Sequence, residues 1–390
     1  MLMFAGCLEI FVYGMVASML GTINPALAAK LHLTNAEIGY IALAQGVGLV
    51  IASVSVGPLM DRRGKKIGVL LGLLLITGSL LALANANSFG TIMAAMFVLG
   101  MGGGIVLTGA NALGSDVSES KRGTVLNLLN LFVGLGGLAT PFVAGNLLHA
   151  DAVKVAYAAA ILTGITFLIH VPLRLPSRVA NVPTAGSRDV FRRPILYLLA
   201  TATFLYTACE FGIWNWLVKY LITRGITAST ALNILSGFAL GMLLGRLFAA
   251  SLLIKIRPLT VTIAASLLMA VTTFSMLHIS SPTAAASILF VVGICMAPVF
   301  PTTVAVVGDI FKHGSATAIG FTITCGFSGL VISSPLIGWI AGPDANGVAR
   351  GLLLLPTFSI VLLLVFLVLR SKRECAIGEQ QQNSTVAVRL

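Results

Sequence analysis

The sequence is built from recurring apolar runs of about 20 residues, the length a helix needs to cross a bilayer, separated by short polar breaks. Only 9% of the residues are charged, whereas an ordinary soluble domain has about 25%. Stretches such as 69–84 lack the alternation of polar and apolar residues that is typical of barrel strands. The sequence therefore predicts an all-α membrane protein with twelve transmembrane helices.

One long polar break divides the apolar runs into two sets of six. The predicted helices of the first half are 3–29, 34–60, 65–87, 89–114, 122–149 and 152–173. Those of the second half are 194–223, 228–254, 257–279, 282–308, 314–341 and 348–371. The predicted organisation is an N-terminal six-helix bundle at 1–173, a linker at 174–193, a C-terminal bundle at 194–371 and a disordered polar tail at 372–390.

The basic residues collect on one side of the predicted membrane topology. If both termini are cytoplasmic, the outer side holds only five of the 24 Lys and Arg residues, namely Lys30, Lys154, Lys219, Arg224 and Arg350. This asymmetry satisfies the positive-inside rule and accounts for the net charge of +12 without nucleic-acid binding. We therefore expect a multi-pass protein of a bacterial-type inner membrane, in contact with lipid, with both termini in the cytoplasm.

The two predicted halves show signs of an internal duplication. A shift of 193 residues superimposes four pairs in or beside helices four, five, ten and eleven: Gly100 and Gly293, Asp116 and Asp309, Gly136 and Gly329, Gly145 and Gly338. Two six-helix units in the same orientation are typical of secondary transporters that bind solute between the halves near the midplane. Such halves can rock about the site and expose it to either side in turn.

The loop after the second predicted helix, residues 57–66, reads Gly-Pro-Leu-Met-Asp-Arg-Arg-Gly-Lys-Lys. It matches the G-x-x-x-D-R-x-G-R/K-R/K pattern of the major facilitator superfamily, which the chain therefore resembles. Gly64 permits a tight reversal, and the bases can meet carboxylates such as Asp116 when the inner face closes. A merely solvated basic loop is the alternative. The predicted gating residues are Gly57, Asp61, Arg62, Gly64, Lys65, Asp116 and Arg246.

Two acidic residues, Glu9 and Glu210, lie within predicted helices, where a charge is costly. Glu210 is near the middle of helix seven, close to Trp214 and Trp216, and this mixture suits an uncharged polyhydroxylated solute. Alternatively, Glu210 is a structural partner between helices. Glu9 is about two turns from the inner surface, within reach of lipid headgroups. Both are candidates for proton coupling.

Other polar residues in the predicted helices complete a candidate pocket. Arg246 needs a partner, for which Glu210 and backbone carbonyls are candidates, and it could clamp helices or contact substrate. Each uncharged polar residue could equally be a bond between helices. The predicted substrate-binding residues are Glu210, Trp214, Trp216, Asn111, Asn130, Gln45 and Thr108.

Further runs are similar to the fucose, galactose and glucose:proton symporter branch of the superfamily. They are residues 210–221, 241–246, 109–113, 126–130 and 297–302. The resemblance implies a sugar or polyol substrate and proton coupling. Gly21 and Leu107 stand where fucose permease-like members have acidic residues, and Asn130 replaces a frequent His. Any coupling would therefore run through Glu210 or Glu9, and a uniporter is the alternative.

The sequence leaves other functions open. A proton-coupled efflux carrier of amphipathic or cationic compounds would use Glu210 as a counter-charge, and a non-transporting receptor on the same scaffold is a further alternative. Motifs for nucleotides, metals or a nucleophile are absent, so we expect no enzyme and no cofactor. The five cysteines suggest no disulfide framework or metal site. The expected partners are a small-molecule substrate and protons, and the expected state is a monomer.

Overall fold

The computed structural model describes residues 2–117, 122–173, 190–279, 281–311, 314–344 and 347–387. The N-terminal half contains α1 (Leu2–Leu31), α2 (Asn35–Arg63), α3 (Lys65–Ala84), α4 (Phe89–Val117), α5 (Arg122–Asn146) and α6 (Ala152–His170). The C-terminal half contains α7 (Pro194–Thr223), α8 (Ala228–Leu253), α9 (Pro258–Met276), α10 (Pro282–Met296), α11 (Val299–Ile310), α12 (Ser315–Ala341), α13 (Gly347–Leu352) and α14 (Leu354–Ala387).

These helices provide twelve segments long and apolar enough to cross a membrane within the described residues. The tenth segment, Pro282–Ile310, combines α10 and α11, and the twelfth, Gly347–Ser371, combines α13 with the first part of α14. The prediction of an all-α protein with twelve transmembrane helices is confirmed.

Local sequence explains several helix ends. Thr34 caps α2 because its hydroxyl accepts from the Glu37 N–H while the Glu37 carboxylate accepts from the Thr34 N–H. Proline occupies the first turn of α7, α9 and α10, where its missing N–H costs nothing. The reversal between α2 and α3 is made by Gly64, whose φ of 89° favours glycine, as the sequence predicted.

Two segments differ from the predicted helices. The tenth is interrupted at Ala297 and Pro298, because proline supplies no N–H to continue the hydrogen-bond ladder. The backbone of α14 continues as a helix to Ala387, through the tail for which we predicted disorder. Ala, Glu and Gln in the tail sequence favour helix locally, which the composition argument for disorder neglected.

The helices pack within each half and along three contacts between the halves. In the N-terminal half α4 packs against α2 and α3, α1 against α5, and α3 against α6. In the C-terminal half α7 packs against α12, α8 against α10, and α9 against α14. The halves meet where α2 contacts α12, α5 contacts α8, and α1 contacts α7. These three contacts surround the space in which a solute site is expected.

Candidate substrate cavity and gates

The two ends of the molecule differ in how closely the halves approach. We call the end with the 57–66 loop the basic end, and the other the opposite end. At the opposite end, a Cβ on Gly21 would collide with the Trp214 carbonyl, and one on Gly338 would press on the Asn35 carbonyl. Near the basic end, a Cβ on Gly57 or Gly320 would meet no described atom within 4 Å. The halves are therefore tightly packed at the opposite end and looser at the basic end.

Neutral hydrogen bonds close the opposite end. The Asn35 amide on α2 donates to the carbonyls of Gly342 and Asp344, at 2.7 and 3.2 Å. On the other side of the interface, Ser229 on α8 donates to the Gly145 carbonyl at 2.7 Å. The amides of Asn146 on α5 and Asn233 on α8 pair with each other. These contacts are made by amides and hydroxyls and not by charges.

Exposed polar side chains mark a cavity between the halves. Asn111 on α4, Asn130 on α5 and Thr324 on α12 are exposed, and each lies within about three turns of its helix's end at the basic end. A polar side chain within a membrane span is costly towards lipid, so such residues normally face a water-filled space. We infer that they line a cavity that opens at the basic end.

Glu210 and Arg246 are intramembrane charged residues on neighbouring helices, and we infer that both face the cavity. Both are partly exposed, and the guanidinium of Arg246 on α8 interacts electrostatically with the carboxylate of Glu210 on α7. Tyr206 and Trp214, one turn before and one turn after Glu210, also interact with this carboxylate. The Tyr206 hydroxyl is buried close to this carboxylate, which is the acceptor it can donate to. The arrangement places one acid on α7 within electrostatic range of one base on α8.

A narrow, mostly apolar cleft lies between α1, α2, α7 and α12. Tyr13 on α1, Gln45 on α2, and Phe211 and Asn215 on α7 are among the residues that line it. Both amides already have partners, because Gln45 donates to the Val16 carbonyl at 3.1 Å and Asn215 donates to the Ser334 hydroxyl at 2.8 Å. Gln45 thus joins α2 to α1 in this conformation and is only a minor part of the predicted pocket surface.

The predicted pocket residues on α7 do not all face the cavity. Trp214 follows Glu210 by four residues and shares its face, with its ring packed edge-on against Phe238 at 5.4 Å. Trp216 is fully buried and lies beneath the ammonium of Lys219, 6.0 Å from its ring centroid. A two-residue step turns a helix by about 200°, so Trp216 belongs to another face than Trp214. Our assignment of Trp216 to the pocket does not match this conformation.

Thr108 lies on α4 one turn before Asn111 and is partly exposed. Its hydroxyl donates to the Gly104 carbonyl of its own helix at 2.8 Å, which satisfies the donor without a solute. Thr108 can still accept a hydrogen bond from the cavity.

Glu9 does not reach towards headgroups, which was one of the two alternatives for this residue, and its role in proton coupling stays a prediction. Its carboxylate is fully buried within the N-terminal half, and one oxygen lies 3.7 Å from Nε2 of His170 on α6. A Cβ on Gly109 of α4 would lie 3.3 Å from the other oxygen. We overlooked His170 because it is 161 positions away in the sequence, although its place at a helix end near the basic side was a usable signal.

The predicted 57–66 loop consists, in the structure, of the end of α2, Gly64 and the start of α3, and it contacts the segment after α6 through Lys66. The Gly64 N–H donates to the Met60 carbonyl at 2.9 Å, and Lys66 donates to the Val171 carbonyl beyond α6 at 2.6 Å. Arg62 is exposed and Lys65 is partly exposed. The side chains of Asp61 and Asp116 lie outside the described part of the chain. The predicted gating role of these residues, and of Gly57, remains a prediction.

The backbones of α1 and α7 approach closely at Gly21, the position that the resemblance pairs with an acidic residue of fucose permease-like proteins. The Gly21 backbone lies directly against the carbonyl of Trp214, so no side chain fits between α1 and α7 at this level. The charged chemistry of the cavity therefore comes from the C-terminal half, through Glu210 and Arg246.

Comparisons with known proteins agree with this architecture. The family model of the Major Facilitator Superfamily matches residues 7–334 and 224–385. The gentisate transporter of Corynebacterium glutamicum is 24% identical over 353 residues, which cover 85% of this chain and 80% of that protein. A crystal structure of the nucleoside transporter NupG superimposes with a TM-score of 0.77 at 15% identity, covering 94% of this chain and 97% of the other.

A crystal structure of a variant of the E. coli fucose:proton symporter FucP superimposes with a TM-score of 0.63 at 18% identity, covering 93% of this chain and 97% of that one. The fold likeness thus includes a protein of the branch whose motifs the sequence resembles. Together with the family match over nearly the whole chain, these findings show a transporter and not an enzyme. The chain belongs to the Major Facilitator Superfamily.

Proposed function

We propose that the chain is a proton-coupled secondary transporter that moves a small polar solute by alternating access. The proposal is carried by the acid–base pair of Glu210 and Arg246 on the wall of the cavity. We further propose that the basic end is cytoplasmic, in a bacterial-type inner membrane, and that the protein works as a monomer. The positive-inside asymmetry supports the orientation.

The pair gives a simple coupling mechanism. When Glu210 is ionised, its attraction holds Arg246 and ties α7 to α8. When Glu210 takes up a proton, that attraction is lost, and Arg246 is available to a solute or to another helix. A solute that binds better to one protonation state shifts the equilibrium between them, so its binding and the proton become linked.

A sugar is the first substrate class to consider. Asn111 and Asn130 offer amide groups from the N-terminal half, and Glu210 offers a carboxylate from the C-terminal half. Such groups hydrogen-bond hydroxyls from two sides, while the aromatic side chains of Tyr13 and Phe211 can cover an apolar ring face. The fucose-branch motifs support the same class.

A hydroxylated aromatic acid is a second candidate, favoured by Arg246. A guanidinium binds carboxylates well because its fork of donors matches their geometry, and the aromatic cleft beyond it suits a planar ring. The gentisate transporter is similar to this chain over most of its length, and gentisate is an acid of this kind. In this case the solute carboxylate would replace Glu210 as the partner of Arg246.

Efflux of a cationic compound is less well supported. Glu210 would have to serve as counter-charge while a guanidinium lies beside it, and that base repels a cation. The direction of the gradient that drives flux separates this alternative from uptake.

The test is flux into proteoliposomes with a labelled hexose, gentisate or a cationic dye, with the proton gradient inward, outward or absent. The proposal predicts that an inward gradient drives accumulation of the hexose or the acid and that Arg246→Gln abolishes uptake of an acid more than of a sugar. If folded, monodisperse protein moves none of the three under any gradient, the proposal is wrong.

A further inference from the structure

The N-terminal half contains a buried acid and a buried imidazole that the substrate cavity does not use. Glu9 and His170 have exposed fractions of 0% and 1%, and Oε2 of Glu9 lies 3.7 Å from Nε2 of His170. Within the described part of the chain, neither carboxylate oxygen of Glu9 has a hydrogen-bond partner, and nor does Nε2 of His170. Buried polar atoms without partners are rare and costly, so this cluster calls for a function.

The proton content of the pair follows from its geometry. Nδ1 of His170 lies 2.8 Å from the Thr166 carbonyl oxygen, and because a carbonyl can only accept, Nδ1 must carry a hydrogen. Nε2 is then either unprotonated and faces a neutral Glu9, or protonated and faces an ionised Glu9. In both cases the two residues hold one proton besides the one on Nδ1 and have no net charge. Gain or loss of a proton would leave a buried net charge, which is costly unless the packing around the pair changes at the same time, so protonation and packing are linked.

The pair also lies next to the 57–66 loop. The Met60 methyl group and the Glu9 carboxylate both border the space beside Gly109 of α4. Lys66 donates to the carbonyl of Val171, the residue that follows His170. The two ends of the reversal between α2 and α3 therefore contact the surroundings of the pair.

Few other titratable groups of the described residues face this site. On α1, Cys7 precedes Glu9 and Tyr13 follows it one turn later, and Tyr13 interacts with Glu210 of α7. Lys66 approaches from α3, and Lys65 beside it has an interaction of its own. From α4 the described neighbour is Gly109, which has no charge. The side chains of Asp61 on α2 and Asp116 on α4 are outside the described part.

We propose that Glu9 and His170 form a proton-binding site, separate from the substrate cavity, that holds one shared proton and makes the gate at the basic end sensitive to pH. The inference rests on the proposed transport function, in which this end opens and closes. A change in the charge of the pair alters the packing of α1 on α6 and of Met60 and Lys66 around it. The equilibrium between the open and closed positions of residues 57–66 then changes.

The test measures opening of the basic end without any solute. The five native cysteines are replaced, a single Cys is placed at the exposed Thr324, and its rate of alkylation by a maleimide is followed from about pH 5.5 to about pH 8.5. Each variant is compared with the parent at the same pH, so the titration of the reporter thiol cancels. In the parent, the alkylation rate is expected to change with pH by more than the titration of the reporter thiol explains, and we call this additional change the pH-dependent step. Glu9→Gln and His170→Gln are expected to remove the step, so that at one end of the pH range their rates differ from the parent's by about tenfold.

Two further variants make the result specific. His278→Gln is the matched control, because His278 makes the same contact to the carbonyl four residues earlier, at 3.0 Å, but is exposed at the end of α9. It is expected to keep the step. The exchange Glu9→His with His170→Glu restores an acid–imidazole pair and is expected to restore the step. If the single variants do not fold, the exchanged double variant is the test. An alkylation rate without the pH-dependent step in that double variant would overturn the inference.

The proposed function can fail independently of this inference, because alkylation requires no substrate. Glu210→Gln is expected to keep the pH-dependent step, although it should lose coupled transport. If Glu210→Gln removes the step while Glu9→Gln and His170→Gln retain it, the pH sensitivity belongs to the cavity and the inference is wrong.

Discussion

Glu9 and Glu210 are the same kind of side chain within helices that begin the two halves, yet their surroundings differ. Glu210 on α7 is partly exposed on the cavity wall and interacts with Arg246. Glu9 on α1 is fully buried within its own half and faces His170. A carboxylate in contact with a water-filled cavity can bind a solute as well as a proton, whereas a buried one is out of reach of the solute and acts through the packing around it. Under our two proposals, the duplicated bundles divide proton binding between solute coupling and gate control.

The difference originates in how closely α1 and α7 approach. At Gly21 the two backbones touch, so α1 offers the cavity no side chain at this level. The N-terminal half contributes neutral amides from α4 and α5 instead, through Asn111 and Asn130. The charged groups of the cavity that the structure describes, Glu210 and Arg246, are on α7 and α8.

The largest expected effect is on coupled transport. Glu210→Gln should remove gradient-driven accumulation, which in a one-proton symporter is worth about tenfold per pH unit, because a neutral amide cannot carry the proton. Exchange of labelled for unlabelled solute should continue. Uptake and exchange in proteoliposomes measure the two activities, and retained accumulation in Glu210→Gln would remove Glu210 from the coupling path.

A smaller effect is expected on stability when the sealed pair is broken. Glu9→Leu should lower the free energy of unfolding by about 1–3 kcal/mol, because Nε2 of His170 loses its polar neighbour. The loss of stability is measured as a fall in the melting temperature. His278→Gln is the control and should leave the melting temperature unchanged. A melting temperature at or above that of the parent would show that the pair makes no net contribution.

A more modest shift is expected at the opposite end. Asn35→Ala removes two hydrogen bonds between α2 and the segment after α12, worth about 1 kcal/mol each. The opposite end should therefore open several-fold more often, which distance measurements between spin labels at that end can detect. Asn85→Ala is the control, since the Asn85 amide donates to Leu81 of its own helix. Equal distance distributions in both variants would exclude the amide closure.

The smallest effect is expected from the two tryptophans of α7. Trp214→Phe should weaken solute binding about twofold to tenfold, from loss of an aromatic contact worth about 0.5–1.5 kcal/mol. Trp216→Phe should leave the dissociation constant unchanged, because Trp216 is buried on another face of α7. Equilibrium binding of the transported solute to both variants checks this, and the reverse order of effects would contradict the cavity described above.

Much of the fold could be predicted because the bilayer imposes it. Apolar length and the breaks between runs fix each span, so the predicted 194–223 agrees with α7 from Pro194 to Thr223. The interruption at Pro298 was missed because apolar length alone does not register a missing backbone donor. Gly64 was predicted correctly, since its positive φ follows from a known motif.

The site was less predictable, because it depends on helix rotation and on contacts distant in the sequence. Trp214 and Trp216 are two residues apart and equally aromatic, and only the direction of α7 separates their environments. The Glu9–His170 pair requires knowing that α1 packs against α6 at the basic end. Glu210 was identified because an intramembrane acid is costly wherever it faces.

The central claim is that the cavity carboxylate couples solute to proton while the sealed one controls the gate. The most direct test is a pH electrode in a weakly buffered suspension of proteoliposomes, recording proton movement when solute is added. We predict that added solute drives proton uptake with the parent and with Glu9→Gln, and that the pH dependence of this uptake is shifted in Glu9→Gln. With Glu210→Gln we predict no solute-driven proton uptake. Proton uptake that persists in Glu210→Gln but disappears in Glu9→Gln would contradict this account.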